Sequence, residues 1–384
     1  MNNLKKKRPF EIEVNGLRGI AIILVILFHY EIYPFTGGFV GVDIFFVISG
    51  YLIGKIIEKQ TFSINNYKNF LLNRIRRIFP GLIFLILFSF IAFSTILSPE
   101  HFINFSDSII GNLLLIPNFY FWTQSNYFDI SSYFKPLLHT WSLGVEYHFY
   151  IIWPIIVWFI SFFFRKLIYK NIFLILFIIL SIFINSYIIS VGPIFENKFL
   201  YGKYVSDTIF FLSPFRIFEF IFGYFLSINK KRFKNLIINE VIFILGLLFI
   251  LYSALSFNKN TLFPGINALY PALGATFLIF AKNAYLSSII LKNSFINYLG
   301  NISFSLYLYH WPVLIFYKYY KYFEVNTFEK IICIIVSVFL GHLSYNYIEK
   351  FFLNKKINLF NKKLIFGYTI LIFLSIHVIQ TNGW

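Results

Sequence analysis

Long apolar runs bounded by charged or turn-forming residues recur along the whole chain. They lie near 15–34, 38–54, 80–98, 139–163, 171–190, 206–228, 236–254, 265–281, 297–317, 331–349 and 364–380. A helix rising about 1.5 Å per residue needs about 20 apolar residues to cross the hydrocarbon core, so the pattern predicts eleven spans. Spans of this kind satisfy their backbone polar groups internally, and the predicted class is therefore an all-α, polytopic integral membrane protein. The segment 99–138 contains a semi-apolar stretch, Ile109 to Phe121, which reads as a re-entrant or interfacial helix. Counted as a full crossing, it would invert every later loop.

Composition agrees with that pattern: 58% of the 384 residues are apolar, 13% are charged and the mean hydropathy is +0.73. Soluble domains carry about 25% charged residues, so a soluble enzyme, a disordered chain and a disulfide scaffold are excluded. The single Cys333 permits neither an internal disulfide nor a thiolate cluster. The 54 Phe residues receive no functional reading.

The net charge of +17 would suggest nucleic acid in a soluble protein. With the N-terminus placed in the cytoplasm, however, 25 of the 33 Lys and Arg residues fall in cytoplasmic segments. The positive-inside rule favours that orientation, which puts the C-terminus outside an inner (cytoplasmic) membrane and removes the main support for nucleic-acid binding. The first span follows Lys5-Lys6-Lys7-Arg8, but no Ala-x-Ala site follows it, so it reads as retained rather than cleaved. Residues 8–350 form one predicted transmembrane domain, and 351–384 a cytoplasmic basic loop with a last span.

Ionisable groups at membrane depth are costly and point to function. Arg18 and His29, eleven residues apart, share a helix face with an axial separation of about 16 Å. One stripe thus has an anion-binding end and an imidazole end, although a snorkelling Arg and a His satisfied by a neighbouring helix fit as well. The glycine-rich return, Gly37-Gly38 onward, brings Asp43 back to the depth of His29. There a carboxylate would orient an imidazole, or alternatively cap the second helix.

His139, Ser142 and Glu146 share a face at the start of the fourth span, where Glu146 is a candidate acid, base or substrate-holding group, or a structural ion-pair partner. His148 faces away and reads as packing. Arg216 and Glu219 are spaced for an i,i+3 ion pair. Ser303, Tyr307 and His310 share a face of the ninth span, and His342, Tyr345 and Glu349 form a weaker stripe in the tenth. His101 and His377 lack polar company. There is no His-Glu-x-x-His, no Cys pair and no Walker loop; the nearest approach to a nucleophile elbow, Thr140-Trp141-Ser142-Leu143-Gly144, lacks the first Gly and a strand. No metal site is expected, and general base catalysis within the bilayer is the enzymatic reading that remains.

Four blocks in order carry a resemblance: Arg18 with His29; Gly38-Phe39-Val40-Gly41-Val42-Asp43-Ile44-Phe45-Phe46-Val47-Ile48-Ser49-Gly50; Thr140-Trp141-Ser142-Leu143-Gly144-Val145-Glu146; and Ser305-Leu306-Tyr307-Leu308-Tyr309-His310-Trp311-Pro312. Together they resemble the acyltransferase family 3 membrane O-acyltransferases, which include O-antigen and peptidoglycan O-acetyltransferases. The resemblance implies a ten-helix core, with the eleventh helix added. It implies transfer of an acyl group, usually acetyl from cytoplasmic acetyl-CoA, to a hydroxyl of a surface glycan such as lipopolysaccharide O-antigen. Acyl-CoA is then a donor substrate, with no bound cofactor.

In that family the residues matching His29 and Arg18 are of the essential type, and an Arg-x-x-Arg matching Arg74 and Arg77 handles acyl-CoA. The mechanistic hypothesis built on this resemblance takes His29, Asp43 and Glu146 as catalytic: His29, oriented by Asp43 or Glu146, activates the acceptor hydroxyl or carries the acyl group itself, while Arg18, Arg74 and Arg77 hold the CoA phosphates. His139, Ser142, Arg216, Glu219, Ser305, Tyr307 and His310 line the cavity or support it. Fused relatives carry an additional SGNH domain, and no Gly-Asp-Ser block occurs here. A separate SGNH-type protein, direct transfer by the core, or a longer chain remain open. Membrane lipids are the other expected partner. A glycan or lipid-precursor transporter or flippase, or an acyl relay to a separate transferase, are the rival readings.

Overall fold

A computed structural model describes residues 11–59, 63–124, 134–192, 198–199, 203–322, 324–354 and 362–383. The helices are α1 (Ile12–His29), α2 (Gly41–Ile57), α3 (Ile64–Phe93), α4 (Pro99–Leu113), α5 (Pro117–Gln124), α6 (Trp141–Phe163), α7 (Leu167–Val191) and α8 (Val205–Phe211). They continue as α9 (Ile217–Ile228), α10 (Leu236–Ser256), α11 (Leu269–Phe280), α12 (Tyr285–Ile290), α13 (Ser294–Tyr320), α14 (Thr327–Leu343), α15 (Lys350–Asn354) and α16 (Lys362–Gln380). A two-residue antiparallel pair, Lys198–Phe199 with Lys203–Tyr204, precedes α8. Among the described residues, seven helices are long and apolar enough to cross a membrane and three shorter apolar ones accompany them. Helix α13, at 27 residues, has the length to cross as well. The protein is an all-α, multi-pass membrane protein.

Ion pairs at the helix ends check the up-and-down layout. Glu11 below α1 holds Lys55 at the end of α2 and Lys282 after α11, and Glu13 lies 3.2 Å from Lys292 before α13. At the other end of α1, Glu31 bridges Lys318 of α13 and Lys330 of α14, each at 3.3 Å. The chain therefore has a Glu11 face and a Glu31 face, and the ends expected to share a side do so. Lys5, Lys6, Lys7, Arg8, Lys355 and Lys356, together with the side chains of Lys198, Lys203, Lys362 and Lys363, lie outside the described residues.

Helices α1, α2 and α13 form the centre, while α7, α10 and α14 turn apolar faces outward, such as Ile175, Leu176, Ile179 and Phe183. In hydrocarbon those faces meet lipid, so they gain nothing from packing inward. Small residues decide which helices touch: a side chain at Gly50 would collide with the Phe220 carbonyl, and one at Gly223 with that of Val47. These glycines let α2 and α9 approach backbone to backbone. Between α1 and α13, Asn15 donates to the Asn297 carbonyl at 2.9 Å and to the Asn301 side chain at 3.2 Å.

Three expected spans and the expected re-entrant helix differ in detail. The third begins sixteen residues earlier, at Ile64, because the cationic stretch around Arg74 to Arg77 is helical, and Pro80 lies inside α3. The stretch 109–121 is the end of α4 and most of α5, not one helix. The span 206–228 is broken at Ser213-Pro214-Phe215, since proline removes a helical donor. The Phe211 and Phe215 carbonyls at this break accept from the Asn118 and Asn185 side-chain amides at 3.2 and 3.1 Å, which is how broken backbone is tolerated at membrane depth. The tenth span passes into a π-helical turn, Ser344–Glu349, a distortion frequent at functional sites.

Candidate active site

On the Glu11 face, a cavity of about 450 Å³ is lined by Arg18, Arg74, Arg76 and Arg77, with Asn15, Asn73, Asn301 and Glu349 among the remaining groups. Four guanidinium groups thus face one carboxylate, and the π-helical turn delivers that carboxylate, whose Oε2 accepts from Ser305 at 3.1 Å. Arg76 was not among the sequence candidates; its signal was its place in the same basic run. Planar, weakly hydrated guanidinium groups suit phosphates, so this basin is fitted to a polyanion.

Arg18, Arg74 and Arg77 also line a narrower cavity of about 70 Å³ walled by Val42, Phe45, Ile48, Leu52, Ile78 and Leu143. Glu146, Ser142 and Tyr307 are among its polar groups, with Ser49, Tyr150 and Ser303. The Glu146 carboxylate accepts from Ser49 at 2.5 Å and from Tyr150. Tyr307 donates its hydroxyl to the His139 carbonyl at 2.7 Å. Its oxygen therefore accepts from Ser142, 2.7 Å away. The result is an apolar passage with arginines at one end and paired hydroxyls at the other.

Beyond those hydroxyls stand three buried imidazoles. His29 Nδ1 lies 2.8 Å from His310 Nε2, and His310 Nδ1 lies 2.6 Å from the Tyr307 carbonyl. The His139 ring centroid is 5.5 Å from that of His310, and the Trp311 ring packs on His29 at 4.8 Å. His139 Nε2 donates to the Leu308 carbonyl at 3.1 Å. That carbonyl has no helical donor four residues on because Pro312 stands there. The proline after Trp311 thus explains how α13 anchors a histidine from another helix. Among the described residues no group of three or more His, Cys, Asp or Glu has metal-holding geometry.

Asp43 is placed elsewhere, and the expectation that it orients His29 is corrected. Its carboxylate accepts from Arg216 Nη2 at 2.8 Å, and Arg216 Nε lies 3.2 Å from Glu219. All three side chains are at most 1% exposed. Phe46, Trp141, Phe210 and Phe263 surround the guanidinium at 5.2 to 5.7 Å. The expected i,i+3 pair is present, with Asp43 as a second anion that ties α2 to the broken helix. Glu146 does not orient His29 either, since its partners are Ser49 and Tyr150. Ser305 faces Glu349 and the basin rather than the imidazoles.

The remaining histidines divide differently from expectation. His148 bonds Ser213 at 2.6 Å rather than serving packing alone, and His101 has the Tyr319 hydroxyl at 2.9 Å as polar company. His342 bonds Tyr298 at 2.8 Å, away from Tyr345 and Glu349 in the basin. His377 stacks on Phe373 with centroids 6.4 Å apart.

A cationic basin, an apolar passage and an imidazole cluster thus lie within one membrane-spanning helical bundle. Residues 11–347 match the family described as "Acyltransferase domain", and the chain belongs to that family. It is 28% identical over 382 residues to the O-acetyltransferase OatA of Staphylococcus aureus strain MRSA252, covering 94% of this chain and 61% of that protein. OatA of strain NCTC 8325 / PS 47 gives the same identity and coverage. A further Staphylococcus aureus protein, provisionally named as an O-acetyltransferase in strain MSSA476, is 30% identical over 373 residues, 93% of this chain and 59% of its own length. The chain thus spans about three fifths of the length of these relatives. No solved structure matches it.

Proposed function

We propose that the protein is a membrane O-acetyltransferase that carries an acetyl group from cytoplasmic acetyl-CoA to a hydroxyl of a cell-surface glycan. The observation that carries this reading is that Arg18 lines both the arginine basin and the narrow passage, while His29 stands at the other end of the same helix. The family and the O-acetyltransferase relatives support the reaction class. The Glu11 face, which gathers the basic residues, faces the cytoplasm by the positive-inside rule, and the Glu31 face lies outside an inner membrane. Lipopolysaccharide O-antigen and peptidoglycan are both glycans of the required kind.

In this reading Arg18, Arg74 and Arg77 hold the CoA phosphates. The pantetheine arm lies in the passage, which excludes water and directs the thioester towards the imidazoles. His29 takes the proton from the acceptor hydroxyl as that oxygen attacks the acyl carbon. The carbon–sulfur bond breaks, and the imidazolium returns its proton to the departing thiolate. Ester and free CoA are the products, so atoms and charge balance. Ser142 and Tyr307, whose hydroxyls bond each other where the passage meets the cluster, border the thioester region in this reading.

The test uses membranes of cells expressing the protein, radiolabelled acetyl-CoA, and the endogenous glycan as acceptor. Base-labile label in the glycan is expected from the native chain and absent from His29→Ala at equal membrane content. Undiminished labelling by His29→Ala would sink the assignment. The relatives' greater length gives a second reading its footing, in which the core hands acyl groups to a separate SGNH-type protein; there the purified chain alone would label no glycan until that partner is added.

A further inference from the structure

The hydrogen bonds around His310 fix more than its position. A carbonyl oxygen only accepts, so the 2.6 Å contact to the Tyr307 carbonyl places a proton on His310 Nδ1. In a neutral ring the other nitrogen, Nε2, then carries a lone pair. That atom lies 2.8 Å from His29 Nδ1, which must supply the shared proton. With its proton at Nδ1, neutral His29 carries its basic lone pair at Nε2. The alternative, a cationic His310 donating to His29, places a charge on a fully buried ring beside a partner, His29, that already feels the Lys318 charge. The uncharged chain of donors and acceptors avoids that burial of like charge.

We propose that His310 is the positioning residue for the acetyl-transfer reaction. Anchored to the Tyr307 carbonyl, it accepts the Nδ1 proton of His29, holds that ring in one tautomer, and leaves His29 Nε2 as the atom that takes the acceptor's proton. The inference rests on the reading of His29 as the base. It puts an imidazole, itself held by a main-chain carbonyl, in the place where a carboxylate was expected. When His29 becomes an imidazolium, its Nδ1 proton remains donated to His310 Nε2, so the developing charge keeps a partner throughout the proton's residence. Tyr30 adds support from the side by donating to the His310 carbonyl at 2.9 Å, which fixes the main chain bearing the ring.

The experiment compares His310→Gln and His310→Leu in the membrane assay with acetyl-CoA and endogenous glycan, normalised to folded protein by monodisperse elution in detergent. A Gln side chain offers an acceptor oxygen where Nε2 stood; Leu offers none. His310→Gln is expected to keep turnover within about tenfold of the native chain, and His310→Leu to lose on the order of 10²-fold or more. The KM for acetyl-CoA should be unchanged in both, because donor binding lies at the arginine end. Equal turnover by native and Leu forms, equal loss by Gln and Leu forms, or a loss carried in KM would each overturn the role of His310. Only retention of activity by His29→Ala removes the base itself, so the two failures are distinguishable.

Discussion

Replacing Arg216 by Met strands two carboxylates in a site from which water is excluded, whereas replacing either carboxylate by its amide leaves one cation facing one anion. The structure therefore predicts unequal costs within the Asp43, Arg216 and Glu219 cluster, whose side chains are at most 1% exposed. Removing one partner of a buried pair costs about 3–5 kcal/mol. The four aromatic faces around the guanidinium add about 0.5–2 kcal/mol each when desolvated. Arg216→Met should thus cost at least about 5 kcal/mol, enough to exhaust the net stability of many domains. Asp43→Asn exchanges an ion-pair hydrogen bond for one from the same guanidinium to a neutral amide oxygen, with Glu219 still facing the cation, and should cost about 1–2 kcal/mol. Glu219→Gln, whose contact at 3.2 Å lacks hydrogen-bond alignment, should cost less again. The assay is thermal unfolding in detergent followed by fluorescence-detected size exclusion, with acetyl transfer per folded molecule measured beside it. The reasoning is refuted if Asp43→Asn destabilises as much as Arg216→Met. It is also refuted if Asp43→Asn stays folded yet loses transfer as completely as His29→Ala, which would return Asp43 to the chemistry.

Three further outcomes are expected. Arg77→Gln should raise the KM for acetyl-CoA roughly tenfold to a hundredfold, the worth of a charge-assisted hydrogen bond of about 1.5–3 kcal/mol, with turnover at saturation little changed; steady-state kinetics in membranes reads the split. Tyr307→Phe removes the hydroxyl that bridges Ser142 to the His139 carbonyl and leaves buried polar groups unpaired, so stability should fall by about 1–3 kcal/mol, measured by the same thermal assay. Gly223→Val drives a branched side chain into the Val47 carbonyl of α2, and the protein should fail to accumulate as a monodisperse species, whereas Gly81→Ala meets only side-chain carbons at 3.3 Å and should accumulate normally.

Most of the helical layout was legible because a span's apolar run is a local property, and the sites of departure carry local signals too. Pro214 marks the break before α9, and the cationic extension of α3 was hidden only because charge interrupts an apolar run without interrupting a helix. Partner choice was not legible. His29 and His310 are 281 positions apart and Arg216 lies 173 beyond Asp43, and helix-face arithmetic says where a side chain points without saying which helix it meets. Sequence depth put Asp43 beside His29, but the glycines of α2 and α9 brought Asp43 to Arg216 instead. The Arg18 and His29 stripe was readable because both lie on one helix. The basin was half readable: the run Arg74 to Arg77 stands out, but Glu349 joins it only through a π-helical turn that no periodicity announces.

The proposed reaction is directional: acetyl-CoA engages the arginine face and the acetyl group leaves from the histidine end. Sealed vesicles of known sidedness test it most directly, because acetyl-CoA does not cross a bilayer. With acetyl-CoA supplied only at the Glu11 face, acetate esters should form on glycan presented at the Glu31 face, and His29→Ala should abolish them. Ester formation from acetyl-CoA supplied only at the Glu31 face, or undiminished formation with His29→Ala, would contradict the account.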